Sequence, residues 1–261
     1  MSRVIITGSG ASPGVPSVSK GWGNCNPNNP KNQRRRTGTY VQIGSASILI
    51  DTSPDLRMQL LDNHIKMVDA ILYTHVHADH LNGIDDVREL NRVIRKPIDF
   101  YAIGETMNEI KERFAYLIDS GDMGGYRANL KPHIADFEHD FYIKDVKVGI
   151  LPLEGHNVPS TGYVFNDGQL VYIGDCRDIS DKALQKIKIK PKLMIMPLTV
   201  IQSDNVEKVH MGLDKVLKYV NLIKPQRVIL NHMAVECDYD QVQFLTPSHV
   251  EPAYDNMVID F

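Results

Sequence analysis

A histidine-rich segment, Tyr73–His80, constrains this chain more than any other part of its sequence. It reads Tyr-Thr-His-Val-His-Ala-Asp-His, so four side chains that can bind a metal fall within six residues. The preceding residues 68–73 are apolar and β-prone, which predicts a buried strand, and a helix is predicted to begin near Asn82 or Gly83. Because ligands gather where the strands of an α/β sheet end, the segment is predicted to be a metal site.

The spacing within this segment divides its ligands between two ions. His75 and His77 alternate as strand residues do, which predicts that both face one ion. Asp79 and His80 lie beyond the strand, where a turn would direct them toward a second ion. The competing interpretation, a polar loop without metal, requires this pattern to arise by chance in a chain with only ten histidines.

The same pattern recurs later in the chain, where a metal-capable residue stands just past the end of three more predicted strands. Imidazole and carboxylate ligands without thiolate are typical of Zn²⁺, Mn²⁺ or Fe sites. Each residue alone would be a satisfied loop residue, but together they predict two ions that share one carboxylate. The predicted ligands are His75, His77 and His156 for the first ion, Asp79, His80 and His232 for the second, and Asp175 as the bridge.

Length and composition bound the remaining choices. The 261 residues suit one large domain, taken here as residues 1–261, and 43% apolar residues are enough for a packed core. A net charge of −3 gives no general attraction to nucleic acid or to an anionic membrane. No apolar run approaches the ~20 residues that span a bilayer, and the N-terminus is predicted to be a strand and not a signal peptide.

The three cysteines, Cys25, Cys176 and Cys237, are odd in number and far apart. This usage argues against a disulfide framework and predicts a reducing, cytoplasmic location.

Four further expectations concern local structure. Residues 54–63 are predicted to form a helix, residues 120–137 a loop, and His210 is predicted to open a helix that runs to Ile223. Asp51, at a strand end, is predicted to orient a metal-binding histidine in preference to capping the 54–63 helix. The basic run Arg34-Arg35-Arg36 is either a solvated face or the source of one contact to a substrate phosphate.

These motifs resemble the metallo-β-lactamase superfamily. Its Thr-His-x-His-x-Asp-His signature and its later His, Asp and His are present, and the resemblance covers residues 3–260. It implies an α+β, four-layer αββα sandwich with the metals at one edge between two sheets. It also implies two divalent ions per chain, Zn²⁺ or Mn²⁺, with a hydroxide between them that attacks the substrate.

Three differences from other groups of the superfamily narrow the branch that this chain resembles. Asp175 stands where β-lactamases of the commonest zinc class carry cysteine. Only 29 residues follow His232, too few for the helical domain of glyoxalase II, and His156 and Asp175 are 19 positions apart, too close for the tRNA arm of ribonuclease Z. The chain is most similar to the cyclic-phosphate phosphodiesterases of phosphonate breakdown, with which it shares Gly8-x-Gly10, the basic run, His210 and the tail motif Pro252-Ala253-Tyr254-Asp255.

That resemblance implies a small cyclic ribose phosphate or nucleotide phosphodiester as substrate, and neither nucleic acid nor membrane as partner; a homodimer is left open. It makes His210 the general acid, although a surface residue at a helix start is the simpler alternative, and it places Asp79 among the catalytic residues. The residues that it implies in substrate binding are Arg36, Tyr254 and Asp255.

The family often binds a structural zinc through clustered cysteines in its early loop. This chain has only Cys25 there, and Val235 three residues after the last histidine ligand, so no third metal is expected. Two alternative functions stay open. One is RNA processing or another hydrolysis on the same metals, and the other is non-hydrolytic cofactor binding, against which the intact ligands weigh.

Overall fold

A computed structural model describes residues 2–118, 120, 126–202 and 208–261. The strands it describes are β1 (Arg3–Gly8), β2 (Gly38–Ile43), β3 (Ala46–Ile50), β4 (Ala70–Leu72), β5 (Ile98–Ile103), β6 (Leu130–Ala135), β7 (Phe141–Ile143), β8 (Val146–Glu154), β9 (Thr161–Phe165), β10 (Leu170–Tyr172), β11 (Asp178–Ile179), β12 (Leu193–Pro197), β13 (Arg227–Asn231), β14 (Val250–Pro252) and β15 (Met257–Asp260). The α-helices are α1 (Leu56–Asp62), α2 (Ala78–Leu81), α3 (Val87–Ile94), α4 (Gly104–Arg113), α5 (Asp181–Lys186), α6 (Leu213–Ile223) and α7 (Tyr239–Leu245).

Two mixed sheets form the centre of the molecule. The first has the strand order β15-β1-β2-β3-β4-β5-β6 and the second β11-β8-β9-β10-β12-β13-β14, with β7 paired to β8. Strands β3 to β6 are parallel to one another, as are β10, β12, β13 and β14. The carboxyl ends of parallel strands meet at one edge of a sheet, and that edge is where loops can assemble a site.

The alternation of side chains in the strands explains why there are four layers. In β3, Ile48 and Ile50 face the core between the two sheets, whereas Leu49 faces a second core beneath helices α1, α3 and α4. On the other side, Val216 and Val220 of α6 pack onto the second sheet. Strands covered on both faces must be apolar on both faces, as these are. The predicted αββα sandwich is confirmed.

Several local predictions hold and others were wrong. The 54–63 helix is α1, but part of the predicted 120–137 loop is the edge strand β6; residues 121–125 lie outside the described part of the chain. Strand β6 lacks apolar alternation because it is an edge strand, with Ile134 65% exposed. Helix α2 begins at Ala78, inside the histidine-rich segment, and was not predicted, whereas the helix predicted to begin near Asn82 or Gly83 is α3, which begins at Val87. Helix α7 and strand β14 were not predicted.

The helix predicted to start at His210 starts instead at Leu213. Gly212 is its N-cap, with extended backbone angles, and His210 lies in the bend before it. His210 is therefore held by a loop and not by a helix turn. Within the described residues, no helix has the length and apolarity needed to cross a membrane.

A candidate metal centre at the sheet edge

Strand ends from both sheets carry the predicted ligands to one place. Strand β4 leads through an extended segment to the one-turn helix α2, which holds Asp79 and His80. The other three ligand-bearing loops follow β8, β10 and β13, and these loops carry His156, Asp175 and His232. The site thus draws its residues from both sheets. The core between the sheets fixes the two groups of residues relative to each other.

The structure brings all seven predicted ligands together. Among the described residues, four groups have ligand atoms that all lie within 4.8 Å of one another. Two of these groups match the predicted sets for the two ions. The groups are His75, His77 and His156; Asp79, His80 and His232; His75, His80 and Asp175; and Asp175, His210 and His232.

Asp175 lies between the two sets. Its Oδ2 is 2.9 Å from Nε2 of His232 and 3.5 Å from Nε2 of His80, both in the second set, and its ligand atom lies within 4.8 Å of that of His75, in the first set. The same oxygen is 3.8 Å from Nδ1 of His210. A carboxylate that reaches both halves of a ligand cluster is suited to bridge two cations. His210, which was not predicted as a ligand, is thus close enough to act as one.

Outer contacts orient the histidines toward the centre. Nδ1 of His80 donates to Oδ2 of Asp51 over 2.7 Å, and Asp51 also accepts from the backbone N–H and the hydroxyl of Thr74. Since the Thr74 hydroxyl gives its proton to Asp51, it accepts from Nδ1 of His75 over 2.9 Å. Both rings therefore present Nε2 inward, as metal-binding histidines do.

The histidines from the second sheet are oriented in the same way. Nδ1 of His156 donates to the carbonyl of Val209 over 3.1 Å, and Nδ1 of His232 lies 3.2 Å from the Thr199 hydroxyl. The role of Asp51 is thus the predicted one, since it holds His80 and does not cap α1. Thr199 was missed from the sequence, although it too stands just past a strand end.

Unsatisfied atoms in this cluster fit bound cations. Nε2 of His75 and Nε2 of His80 are buried and have no hydrogen-bond partner. Buried polar atoms without partners are costly, and a divalent cation accepts electron pairs from imidazole nitrogens of this kind. The donor set of five histidines and two aspartates therefore fits the metals that the resemblance implies.

Burial and charge shift the pKa values of the metal-free cluster in opposite directions. Burial alone would raise the pKa of Asp175, but the charges of His232 and His80 outweigh it and hold that pKa well below its usual range. Burial lowers the pKa of His232, yet Asp175 and Asp79 outweigh it and raise that pKa to about 9. The cluster without metal is therefore held by imidazolium–carboxylate pairs.

Two of these residues have unusual backbone angles. Asp51 has a φ of 64° and His232 a φ of 58°, the left-handed region that non-glycine residues seldom adopt. Such conformations cost of order 1–3 kcal/mol each and persist where the surroundings fix them. Both residues lie at strand ends beside the cluster, where the bend directs their side chains inward.

A cavity of about 530 Å³ opens over the cluster. The early loop, residues 9–37, forms one wall, because Ala11 N donates to Met233 O over 3.1 Å and Met233 N donates to Ser9 O over 2.9 Å. Besides the cluster itself, the lining residues are Ala11, Ser12, Pro13, Ala78, Thr199, Val209 and Ala234. Among the described residues, no lysine or arginine lines it.

The three predicted substrate-binding residues lie outside this lining. Arg36 pairs with Asp55 through two contacts of 2.7 and 2.9 Å. Asp255 accepts hydrogen bonds from the backbone and hydroxyl of Ser9 and from the backbone of Arg35, and the Tyr254 ring faces the Lys31 ammonium. These contacts fasten the early loop to the body of the protein.

Arg113 was also missed from the sequence. It lies at the end of α4, and its guanidinium donates to the carbonyl of Val76 over 2.9 Å and to Oδ1 of Asn82 over 2.6 Å. These two contacts bracket the segment that contains three of the ligands. No local signal marks Arg113, because the contact joins elements that are 31 or more residues apart.

Known proteins resemble this chain in sequence and in fold. The family model described as a beta-lactamase superfamily domain matches residues 46–233. An octanoyltransferase of Porphyromonas gingivalis is 26% identical over 98% of this chain and 51% of its own length. The chain thus spans about half the length of the curated relatives it matches.

Two solved structures are also similar. A diphosphatase from the PhnP family has a TM-score of 0.87 and 26% identity, with 100% of this chain and 98% of the other covered. Zn²⁺-bound PqqB from Methylobacterium extorquens has a TM-score of 0.77 over 99% of this chain and 100% of its own. At 17% identity, the likeness to PqqB shows the fold alone.

Proposed function

This chain belongs to the metallo-β-lactamase superfamily, in its PhnP-like branch, and from that membership we propose that it hydrolyses a small phosphodiester. The observation that carries the proposal is that the Asp175 carboxylate groups with His75 of one ligand set and with His80 and His232 of the other. We assign His75, His77 and His156 to one ion. The remaining ligands, Asp79, His80 and His232, hold the second, and we take residues 1–261 to act as one domain.

Two divalent cations held by these residues would make a hydroxide available at neutral pH and would offset the charge that builds on a phosphate. The side chains of the protein do the rest. Asp51 and Thr74 keep the imidazoles of His80 and His75 turned inward. The early loop restricts the access of water from one side. His210 stands beside the cluster, where it protonates the departing oxygen.

The protonation state of His210 sets a condition on this role. Burial lowers its pKa to about 4, so the ring is neutral at pH 7 in the metal-free protein. A general acid must carry the proton that it donates. The negative charge of a bound phosphate favours the imidazolium, whereas the cations oppose it, so the general-acid role requires His210 to take up its proton together with the substrate.

The cavity favours a substrate with one phosphate. The relative with a TM-score of 0.87 is described as a diphosphatase, and cleavage of a phosphoanhydride is therefore the second candidate. A diphosphate carries additional charge, and no cationic side chain among the described lining residues would neutralise it. A singly charged diester needs only the cations of the cluster.

The test is a substrate panel with the Mn²⁺- or Zn²⁺-loaded protein. The substrates are bis(p-nitrophenyl) phosphate, a ribose cyclic phosphate, a nucleoside diphosphate, a short RNA, a cephalosporin and an octanoyl thioester. We expect turnover of the two diesters above all the others, and none for Asp175→Asn. Faster cleavage of the cephalosporin, thioester or RNA would overturn the proposal, and faster cleavage of the diphosphate would establish the second candidate.

A further inference from the structure

An apolar groove ringed by lysines lies on the second sheet's helical side. The loop after α5 alternates lysine and isoleucine in the sequence Lys-Ile-Lys-Ile-Lys-Pro-Lys, residues 186–192. Together with the end of α6 it encloses a groove of about 500 Å³, here called the lysine-ringed groove. Its lining residues are Leu184, Ile187, Lys188, Ile189, Lys190, Leu222, Ile223 and Lys224.

The apolar part of this groove is both exposed and rigid. Ile189 is 50% exposed and Leu222 60% exposed, while Ile187 and Ile223 pack against the main core. The backbone N–H groups of Lys188 and Ile189 both donate to the carbonyl of Asp167, over 3.1 and 3.2 Å. A docking surface that is already ordered loses little entropy on binding.

The rim has one sign of charge. No acidic residue in the described part of the chain lines the groove. Lys188 forms an ion pair with Asp167 over 3.6 Å, whereas neither Lys190 nor Lys224 has an ion pair within the described ranges. This local positive charge contrasts with the net charge of −3 of the whole chain. Complementary charge around an apolar centre is what guides a specific partner.

We propose that the lysine-ringed groove docks an acidic segment of a partner protein that inserts aliphatic side chains between Ile189 and Leu222. A second copy of this chain would bring lysines against lysines. A membrane surface is less suited, because the aliphatic surface is concave and none of its described lining residues is aromatic.

The position of the groove makes this docking independent of the proposed hydrolysis. The loop that forms one wall leads directly into β12, whose five residues end next to Leu198 and the cavity residue Thr199. At ~3.3 Å per residue, the strand separates the groove from the metal centre by roughly 17 Å. A bound partner therefore leaves the cavity open.

The experiment titrates a labelled amphipathic helical peptide, with leucines on one face and glutamates on the other, into the full-length metal-loaded protein. We expect a Kd in the micromolar range that weakens about tenfold when salt is raised from low to several hundred millimolar. Leu222→Glu, Ile189→Glu and the pair Lys190→Glu/Lys224→Glu should each weaken binding about tenfold or more. Diesterase activity should stay at the wild-type value.

Matched controls are Leu61→Glu, on an equally exposed leucine of α1 (53%), and Lys111→Glu on α4, neither of which should change the affinity. A peptide with glutamine for glutamate, or serine for leucine, should bind at least about tenfold more weakly. The proposal is overturned if the peptide does not bind, if the groove variants bind like wild type, or if vesicles of phosphatidylglycerol bind and the peptide does not.

Discussion

The carboxylate of Asp51 lies 2.7 Å from Nδ1 of His80, and both side chains are almost completely buried. The other bonds of this carboxylate go to Thr74, whose hydroxyl contacts His75. One acid at the end of β3 therefore fixes the ring of a ligand from each proposed ion site. The left-handed backbone of Asp51, with a φ of 64°, turns its side chain toward them.

The variant Asp51→Asn tests this relationship. The amide is nearly isosteric, but it carries no charge and can offer an N–H where His80 needs an acceptor. We expect the affinity for Zn²⁺ or Mn²⁺ to fall by about 10–100-fold, as it does when other outer partners of ligand histidines are lost. The measurement is a competition titration against a fluorescent chelator.

Asp69→Asn is the matched control for Asp51→Asn. Asp69 immediately precedes β4 and accepts hydrogen bonds from Ser47, but it lies at the end of that strand away from the cluster. Its loss should leave metal affinity unchanged. Equal losses of affinity in both variants would show that the effect is one of general stability and not of ligand orientation.

The sequence was sufficient to predict where candidate site residues lie when they stand just past the end of a strand. His75, Asp175 and His232 each follow a strand with parallel neighbours, and the carboxyl ends of parallel strands in a sheet lie at one edge, so their positions at sheet edges could be predicted without the structure. His156 follows β8, which pairs only antiparallel, so its position depends on the fold as a whole. The resemblance implied that Arg36 binds the substrate, but the contacts of Arg36 depend on how the early loop packs against the body of the protein. That docking joins residues far apart in the sequence, such as Arg35 and Asp255, and no local pattern encodes it.

The position of His210 shows a second limit of prediction from the sequence. The apolar stripe of α6 predicts a helix, but where it begins depends on Gly212, whose extended backbone ends the preceding loop. Strand β6 was missed because an edge strand with a proline, Pro132, has neither alternation nor strong β propensity. Only its pairing with β5 makes it a strand.

Asp175 should determine the number of ions bound. The wild-type protein, purified without chelator, is expected to hold two metal equivalents, and Asp175→Asn about one or none. Elemental analysis measures this. Asp178→Asn is the control, because Asp178 lies three positions further along and pairs with Lys215 over 3.0 Å, away from the cluster. Two metal equivalents in Asp175→Asn would contradict the bridging role.

The same analysis tests the expectation that there is no structural metal site. A third metal equivalent in the wild type that is lost in Cys25→Ser would contradict that expectation.

Metal binding should release protons at neutral pH. The pKa of His232 is raised to about 9 in the metal-free protein, above the ordinary value of about 6.5, so its ring is protonated at pH 7 and must lose that proton to bind a cation. We expect binding heats at pH 7 to depend on the buffer's ionisation enthalpy, and this dependence to diminish as pH rises through about 9. Heats that do not depend on the buffer would refute this.

The raised pKa of His232 also affects how the stability of the metal-free protein depends on pH. Because the folded pKa of His232 is raised, its pair with Asp175 stabilises the fold fully below the unfolded pKa of about 6.5. This contribution is lost as pH rises through about 9. The difference in Tm between the chelator-treated wild type and His232→Gln should therefore shrink between pH 6 and pH 10. A constant difference would assign the effect to packing alone.

The role of His210 follows from its place beside ligands that are complete without it. Its ring lies nearly parallel to that of His232, with centroids 5.6 Å apart, and its Nδ1 is buried without a hydrogen-bond partner. A general acid matters in proportion to how poor the leaving group is, and this dependence tests the role proposed for His210. His210→Ala should keep both metals and lose roughly 10²–10⁴ in turnover, about 3–5 kcal/mol of barrier, on a diester with a sugar alkoxide leaving group.

On an aryl diester, whose leaving group needs no proton, the loss in His210→Ala should be much smaller. His133→Ala, which removes a histidine paired with Asp99 and remote from the cluster, is the control and should match wild type on both substrates. Activity on the alkoxide diester should also fall as pH rises past the pKa of His210 in the substrate complex. His210→Ala should not show this fall in activity. Equal losses on both substrates would make His210 a positioning residue, whereas loss of a metal equivalent would make it a ligand through its contact with Asp175.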